Sequence, residues 1–96
     1  MLEKIKLSMR IFHNALDGYI QSNINACMLD LQRVGVRKDI ATPDSEDGLI
    51  QKAAELYCKW QDDFNGKGEQ YQKAFENLRD AISLCDSHME SRISNV

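Results

Sequence analysis

The sequence predicts an all-α protein: a small bundle of about four helices with a short N-terminal helix and a loose C-terminal tail. Three observations predict it. The chain has 96 residues, a length that fills one domain. Apolar residues recur at spacings of three and four, which is the period of an α-helix. Glycine, proline and asparagine interrupt this period at only a few places, so the helices are few.

The N-terminal half contains two predicted helices. Residues 2–11 form a short amphipathic helix, and a second helix begins at Asn14, which with Asp17 resembles a capping box. The second helix ends at Val34, because Gly35 is suited to the left-handed conformation that follows many helices. Its inward face has the spacing of a bundle helix and consists of Leu16, Ile20, Ile24, Cys27, Leu31 and Val34.

The C-terminal half contains two more predicted helices after a loop at 36–44. Asp44 or Ser45 is expected to cap the third helix, which places Glu46 and Asp47 in its first turn. The turn at 65–68 separates it from a fourth helix at about 69–84. The buried stripe of the third helix consists of Ile50, Ala53, Tyr57, Trp60 and Phe64. These boundaries divide the chain into a helical domain at 1–84 and a flexible tail at 85–96.

Composition excludes several classes of protein. The longest apolar run has four residues, 26–29, so we expect no membrane span, and the N-terminus does not resemble a signal peptide. We therefore expect the protein to stay in the cytosol where it is made. The three cysteines, Cys27, Cys58 and Cys85, are expected to remain thiols, with the first two as small buried hydrophobic residues.

Charge is distributed unevenly along the chain. The net charge of −3 argues against strong binding to nucleic acid. Residues 1–38 have six basic side chains against three acidic ones, and residues 39–96 have six against twelve. The ordinary explanation is chance variation on a solvated surface. The alternative is a surface that binds a partner of opposite charge, and the cluster of Arg33, Arg37 and Lys38 is its clearest basic element.

The sequence contains no motif typical of an enzyme, and we expect no catalytic activity and no cofactor. No glycine-rich phosphate loop or nucleophile elbow occurs. Cys85 and His88 are three residues apart and could meet on one helix face, but two ligands do not make a closed metal site. We therefore predict neither a catalytic site nor a metal site.

Three stretches resemble the head-to-tail connector family of tailed phages. They are residues 2–27, which include Asn14-Ala15-Leu16-Asp17, residues 44–59, which include Leu56-Tyr57-Cys58, and residues 71–84. The resemblance implies a helical, non-enzymatic head-completion adaptor, also described as a DNA-packaging protein. It would be located in the neck of the virion, and in the host cytoplasm during assembly. Such a protein forms a homo-oligomeric ring under the portal, with symmetry expected to follow the twelvefold portal, and contacts the stopper or tail-completion protein. DNA passing through the ring would make only transient, nonspecific contacts.

A closed ring joins one flank of each subunit to the opposite flank of the next, so oppositely charged flanks would suit it. As a hypothesis, neighbouring subunits pair basic with acidic side chains. The basic candidates are Lys4, Lys6, Arg10, Arg33, Arg37 and Lys38. The acidic candidates are Glu46, Asp47, Asp62, Asp63 and Glu69. Arg92, in the predicted tail, is a further candidate contact with a partner, since the tail could order on docking to the portal.

Two alternative functions remain open at this stage. A small DNA-binding regulator would use a helix-turn-helix with its turn near Gly35, although the predicted loop is long for that motif and the chain is acidic. A generic helical interaction module has the same composition and periodicity, so neither observation separates it from a connector.

Overall fold

The structure is a computed structural model that describes residues 1–90. Within these residues it confirms the predicted all-α bundle with a short N-terminal helix. The four α-helices are α1 (Leu2–Ser8), α2 (Asp17–Arg33), α3 (Gly48–Gln61) and α4 (Gly68–Ser83). Two short 3₁₀ turns, Phe64–Gly66 and Asp86–His88, follow α3 and α4. None of the helices in the described part of the chain is long and apolar enough to cross a membrane.

The first two helices are shorter than the sequence predicts. α1 ends at Ser8 instead of Ile11, and Arg10 then takes a left-handed backbone with φ of 58°. α2 begins at Asp17, and no side chain caps it, so the predicted capping by Asn14 was wrong. The reason is tertiary: Asn14 and Asp17 both contact the ammonium of Lys6.

α2 has the predicted ending and most of the predicted inward face, but the prediction was wrong for Leu16, which precedes the helix and is exposed. Ile20, Ile24, Cys27 and Leu31 are almost completely buried. Gly35 has a φ of 103°, and its amide donates to the carbonyl of Gln32. The amide of the buried Val36 donates to the carbonyl of Leu31, which completes a Schellman motif.

The connection between α2 and α3 is a packed loop, not a tight turn. Ala41 is buried within it, and its carbonyl accepts a hydrogen bond from Gln32 Nε2 at 3.0 Å. Asp47, not the predicted Asp44 or Ser45, caps α3 by accepting from the amides of Leu49 and Ile50. A helix-turn-helix joins its two helices by a three- or four-residue turn, and the connection from α2 to α3, residues 34–47, has no such geometry.

α3 and α4 form a tightly packed hairpin. Phe75 of α4 is fully buried, and its ring centroid lies 5.2 Å from that of Tyr57 and 6.0 Å from that of Trp60. Such pairs add stability beyond the area they bury. The predicted packing role of Tyr57 and Trp60 is confirmed. α4 begins at Gly68. Glycine suits this position because a Cβ would lie 2.6 Å from Asp63 Oδ1.

Residues 85–90 differ from the loose tail predicted from Cys85 onward. Met89 forms an isolated antiparallel bridge with Val36. The amide of Arg37 donates to the carbonyl of His88, and the amide of Glu90 donates to the carbonyl of Gly35, each at 2.8 Å. This part of the tail is therefore docked on the end of α2, and we call residues 85–90 the docked segment. Residues 91–96, the rest of the predicted tail, lie outside the described residues.

Candidate interaction surface and the docked segment

Eight of the charged residues predicted to contact a partner are exposed in the structure. They are Lys4, Arg10, Arg33, Lys38, Glu46, Asp62, Asp63 and Glu69. Arg33 pairs with Asp30 one turn earlier in α2, at 2.6 Å, but its own side chain remains 67% exposed. An exposed pair of this kind contributes little to stability, so exposed charges such as Arg33 remain available to a partner.

Lys6 is the clearest correction to the predicted contact residues. It is only 4% exposed, and its Nζ lies 2.8 Å from Asp17 Oδ1 and 3.0 Å from Asn14 Oδ1. A side chain buried within its own subunit cannot reach another subunit. Lys6 therefore holds α1 against the start of α2. It is not a candidate for contact with another subunit.

Three of the predicted contact residues, including the exposed Asp63, bind groups within the chain. Asp63 has a left-handed backbone, and its Oδ1 accepts a hydrogen bond from the amide of Gly68 at 2.8 Å. Arg37 forms an ion pair with Asp39 and donates from Nη1 to the carbonyl of Ser87 at 2.7 Å. Asp47, the third, caps α3 and also contacts the docked segment. Each of these side chains would have to break a contact within the subunit to bind a neighbour.

The fold mixes the two signs of charge that the sequence separates. The hydroxyl of Tyr19, near the start of α2, donates to the carbonyl of Gln61 at the end of α3, so the two helices are antiparallel. The basic end of α2 therefore lies beside the acidic start of α3. At the opposite end, Arg10 and Asn65 line the same shallow pocket next to the α3–α4 turn. The predicted basic and acidic flanks are not separate faces of this fold.

The docked segment brings together three side chains that can exchange protons. His88 Nε2 lies 2.8 Å from Asp47 Oδ2, and His88 Nδ1 lies 3.0 Å from Cys85 Sγ. Cys85 and His88 meet as predicted, although in a 3₁₀ turn instead of an α-helix. No local pattern indicates Asp47 as the third member, since it lies 41 residues away from His88.

The environment of these groups changes their pKa values. Partial burial opposes the charged form of His88, but the hydrogen bond with Cys85 and the charge of Asp47 outweigh it and raise the pKa of His88. Hydrogen bonds from Ser87 and His88 lower the pKa of Cys85. For Asp47, the cost of burial is outweighed by the amide of Ile50 and by His88, so its pKa is lowered. These shifts favour an ionised Asp47 and promote both a charged His88 and a Cys85 thiolate.

The other two cysteines, Cys27 and Cys58, are buried thiols whose pKa values are raised. Burial, with a further contribution from neighbouring Cys58 and Asp30, raises the pKa of Cys27 far above its usual range. Burial also raises the pKa of Cys58 to about 12. The predicted role of both as buried hydrophobic residues is confirmed. Within residues 1–90, no group of three or more His, Cys, Asp or Glu side chains has the arrangement of a metal site.

Sequence reasoning missed several exposed apolar side chains. Phe12 is 80% exposed and Leu7 is 64% exposed, at and after the end of α1. Leu29 on α2 and Leu84 after α4 are also largely exposed. The helical period could have placed Leu29 outside the inward face of α2, but Phe12 lies where the period is broken. Single exposed apolar residues occur on most protein surfaces, and only a contiguous patch of them is typical of a surface that contacts another protein.

Comparison with known families identifies the class of protein. The family model of the phage connector protein matches residues 1–91, almost the whole chain. The chain belongs to the phage connector protein family. No curated protein and no solved structure shows significant similarity to this connector. Arg92, the remaining predicted contact residue, lies just beyond the matched region and outside the described residues.

Proposed function

We propose that this phage connector is a head-completion adaptor that forms a ring beneath the portal, in the neck of the virion. It joins the portal to the stopper or tail-completion protein and lets DNA pass through its centre. The observation that carries this proposal is the family match over residues 1–91. The described residues form an all-α bundle that exposes charged and apolar side chains, which is consistent with a protein that works by contact.

The exposed charges support contact between neighbouring copies. Arg33 and Lys38 project from the end of α2 and the loop after it, and Asp62 and Glu69 lie near the α3–α4 turn at the other end. A heterologous contact joins two different surfaces, so the charged end of one copy can meet a differently placed charge on the next. We propose these residues, together with Arg10 and Glu46, as the ring contacts.

Contact with DNA in this proposal is weak and transient. Strong nonspecific binding needs many cationic side chains that neutralise phosphates. The chain has a net charge of −3, and acidic residues accompany its exposed basic ones. A channel that lets DNA slide is better served by such a surface than by a strongly basic one.

The decisive experiment mixes the purified full chain with the portal of the same phage and measures the mass and symmetry of the complex. The expected result is a ring with one copy per portal subunit, seen by native mass spectrometry and electron microscopy. The double variant Arg33→Glu/Lys38→Glu should bind less well, and its loss should be greater at low than at high salt. The matched control is Lys52→Glu/Lys73→Glu, which changes the same number of charges at two exposed lysines outside the proposed contacts. Lys52 pairs with Glu55 within α3 as Arg33 pairs with Asp30 within α2.

The outcome that rejects the proposal is equally clear. A connector that stays monomeric and does not bind the portal at any salt concentration is not an adaptor on that portal. If the ring forms but Arg33→Glu/Lys38→Glu assembles as well as Lys52→Glu/Lys73→Glu, the assigned charge contacts are wrong.

A further inference from the structure

Asp47, at the start of α3, and His88 and Cys85, in the docked segment, form a continuous hydrogen-bonded series. The proposed connector function assigns no role to this series. Asp47 Oδ2 contacts His88 Nε2 at 2.8 Å, and His88 Nδ1 contacts Cys85 Sγ at 3.0 Å. Ser87 Oγ lies 3.3 Å from the same sulfur and 3.1 Å from the same ring nitrogen. A nucleophile next to a base, with that base oriented by a third group, is the arrangement that activates thiols.

Further hydrogen bonds position Asp47 and the backbone of His88. Asp47 is fixed because its other oxygen accepts from the amides of Leu49 and Ile50. The backbone of His88 is fixed by its hydrogen bond from the amide of Arg37. If Nε2 carries a proton that it donates to Asp47, Nδ1 faces the thiol as a proton acceptor.

The sulfur can also be reached from solvent. Cys85 is only partly buried, and Cys27 and Cys58 are fully buried in the core. Because the thiolate is the reactive form of cysteine, the lowered pKa of Cys85 is consistent with the geometry.

We propose that Cys85 is a nucleophilic thiol that forms mixed disulfides with small disulfide molecules, with His88 as its proton acceptor and Asp47 as the residue that positions His88. His88 Nδ1 takes the thiol proton, and the sulfur of Cys85 attacks one sulfur of the disulfide. A new S–S bond forms as the original one breaks, and the other half of the disulfide leaves as a thiolate with the electron pair of the broken bond. The disulfide is the only oxidant, and the modification is stoichiometric.

Other charged groups on the surrounding segments affect the pH dependence of this reaction. Arg37 donates to the carbonyl of Ser87, but its charge is paired with Asp39. α4 packs against residues 86–88, and Asp80 in its last turn is exposed. The remaining charged groups of the docked segment are Asp86 and Glu90. Within residues 1–90, none of these groups forms a hydrogen bond with Cys85 Sγ or with the His88 ring. Asp47 is therefore the carboxylate that contacts the His88 ring directly.

The first test measures thiol reactivity on the reduced full chain with 5,5′-dithiobis(2-nitrobenzoate), a small aromatic disulfide whose leaving thiolate is coloured. We expect one thiol to react rapidly and two to react slowly, and Cys85→Ser to remove the rapid reaction. His88→Gln should slow the rapid reaction roughly threefold or more near neutral pH and move its pH profile to higher pH. A rapid reaction that survives Cys85→Ser, or an unchanged profile in His88→Gln, overturns the proposal.

The second test remains valid even if His88→Gln releases the docked segment. The ring proton signals of His88 are titrated by NMR in the wild type and in Cys85→Ser, a small change at a partly exposed position. Since contact with Cys85 raises the pKa of His88, the titration midpoint should fall in Cys85→Ser. Asp47→Ser, which keeps a side chain able to cap α3, should lower the midpoint as well. An unchanged midpoint in both variants overturns the proposal.

Discussion

The ammonium of Lys6 lies 2.8 Å from Asp17 Oδ1 and is almost completely buried. This contact fixes the short helix α1 on the first residue of α2. It also explains why neither Asn14 nor Asp17 caps α2, because both side chains are turned toward Lys6. A helix of seven residues is not stable by itself in water, so α1 depends on such contacts and on the burial of Ile5 and Met9.

The first prediction concerns this ion pair. Asp17→Asn should lower the free energy of unfolding by about 1–3 kcal/mol, because it leaves a buried ammonium without its counter-charge. Chemical denaturation measures the change. Asp44→Asn, an exposed carboxylate in the loop before α3, is the matched control and should change stability by less than about 0.5 kcal/mol. Equal effects of the two variants would show that the pair does not stabilise the fold.

The second prediction concerns the end of α2. Gly35→Ala should destabilise the protein by about 1 kcal/mol or more, because Gly35 has a φ of 103°, which L-residues rarely adopt. Gly18→Ala is the control within the same helix, since no atom lies within 4 Å of a Cβ at Gly18 and its backbone is helical. It should stabilise the protein by roughly 0.5–1 kcal/mol. A loss of stability in Gly18→Ala comparable to that in Gly35→Ala would contradict the explanation based on backbone conformation.

The third prediction is a pH dependence of the docked segment. Because the pKa of His88 is raised in the folded chain, His88 stabilises docking fully below its ordinary pKa of 6.5, and this stabilisation is lost as the pH rises through the higher folded pKa. Because the pKa of Asp47 is lowered, Asp47 stabilises docking above its ordinary pKa of 3.8, and this stabilisation is lost as the pH falls through the lower folded pKa. The lowered pKa of Cys85 acts in the opposite direction to His88, because it adds stability as the pH rises toward the ordinary value of 9.0. The prediction is therefore made for Cys85→Ser, in which docking should be strongest between the ordinary values of Asp47 and His88.

Hydrogen exchange of the amides of Arg37 and Glu90 measures this effect, since both donate across the contact between the docked segment and α2. After correction for the intrinsic rate, their protection should be highest in that pH range. In Cys85→Ser/His88→Gln the change on the alkaline side should disappear. If protection continues to increase above neutral pH in Cys85→Ser, the sign of the His88 linkage is wrong.

The fourth prediction depends on the proposed function. Phe12→Ser should leave the free energy of unfolding within about 0.5 kcal/mol of the wild type, because Phe12 is 80% exposed. It should weaken binding to the portal or to a neighbouring copy by about tenfold, since aromatic residues often dominate binding energy. Denaturation and binding are measured on the same preparation. Unchanged binding at unchanged stability would remove Phe12 from the interaction surface.

Local pattern alone was sufficient to predict the helices and most of their buried faces. The stripe of α2 is an example, because the helical period forces Ile20, Ile24, Cys27 and Leu31 onto one side wherever that helix packs. The Schellman ending at Gly35 is equally local, since a left-handed residue after a helix needs no long-range partner. The candidate contact residues were less predictable, because the same charged side chain can face solvent or a neighbouring segment.

The sequence by itself therefore determined the class of fold, the number of helices, the inert role of Cys27 and Cys58 and the resemblance to phage connectors, because each depends on spacing, composition or short patterns along the chain. Only the tertiary structure decided which charges are available. It buried Lys6 against Asp17, joined Asp47 to His88 across 41 residues and docked residues 85–90 on the end of α2. The physical reason is that a polar side chain binds whichever group the packed helices bring within about 3 Å, and no local pattern encodes that distance.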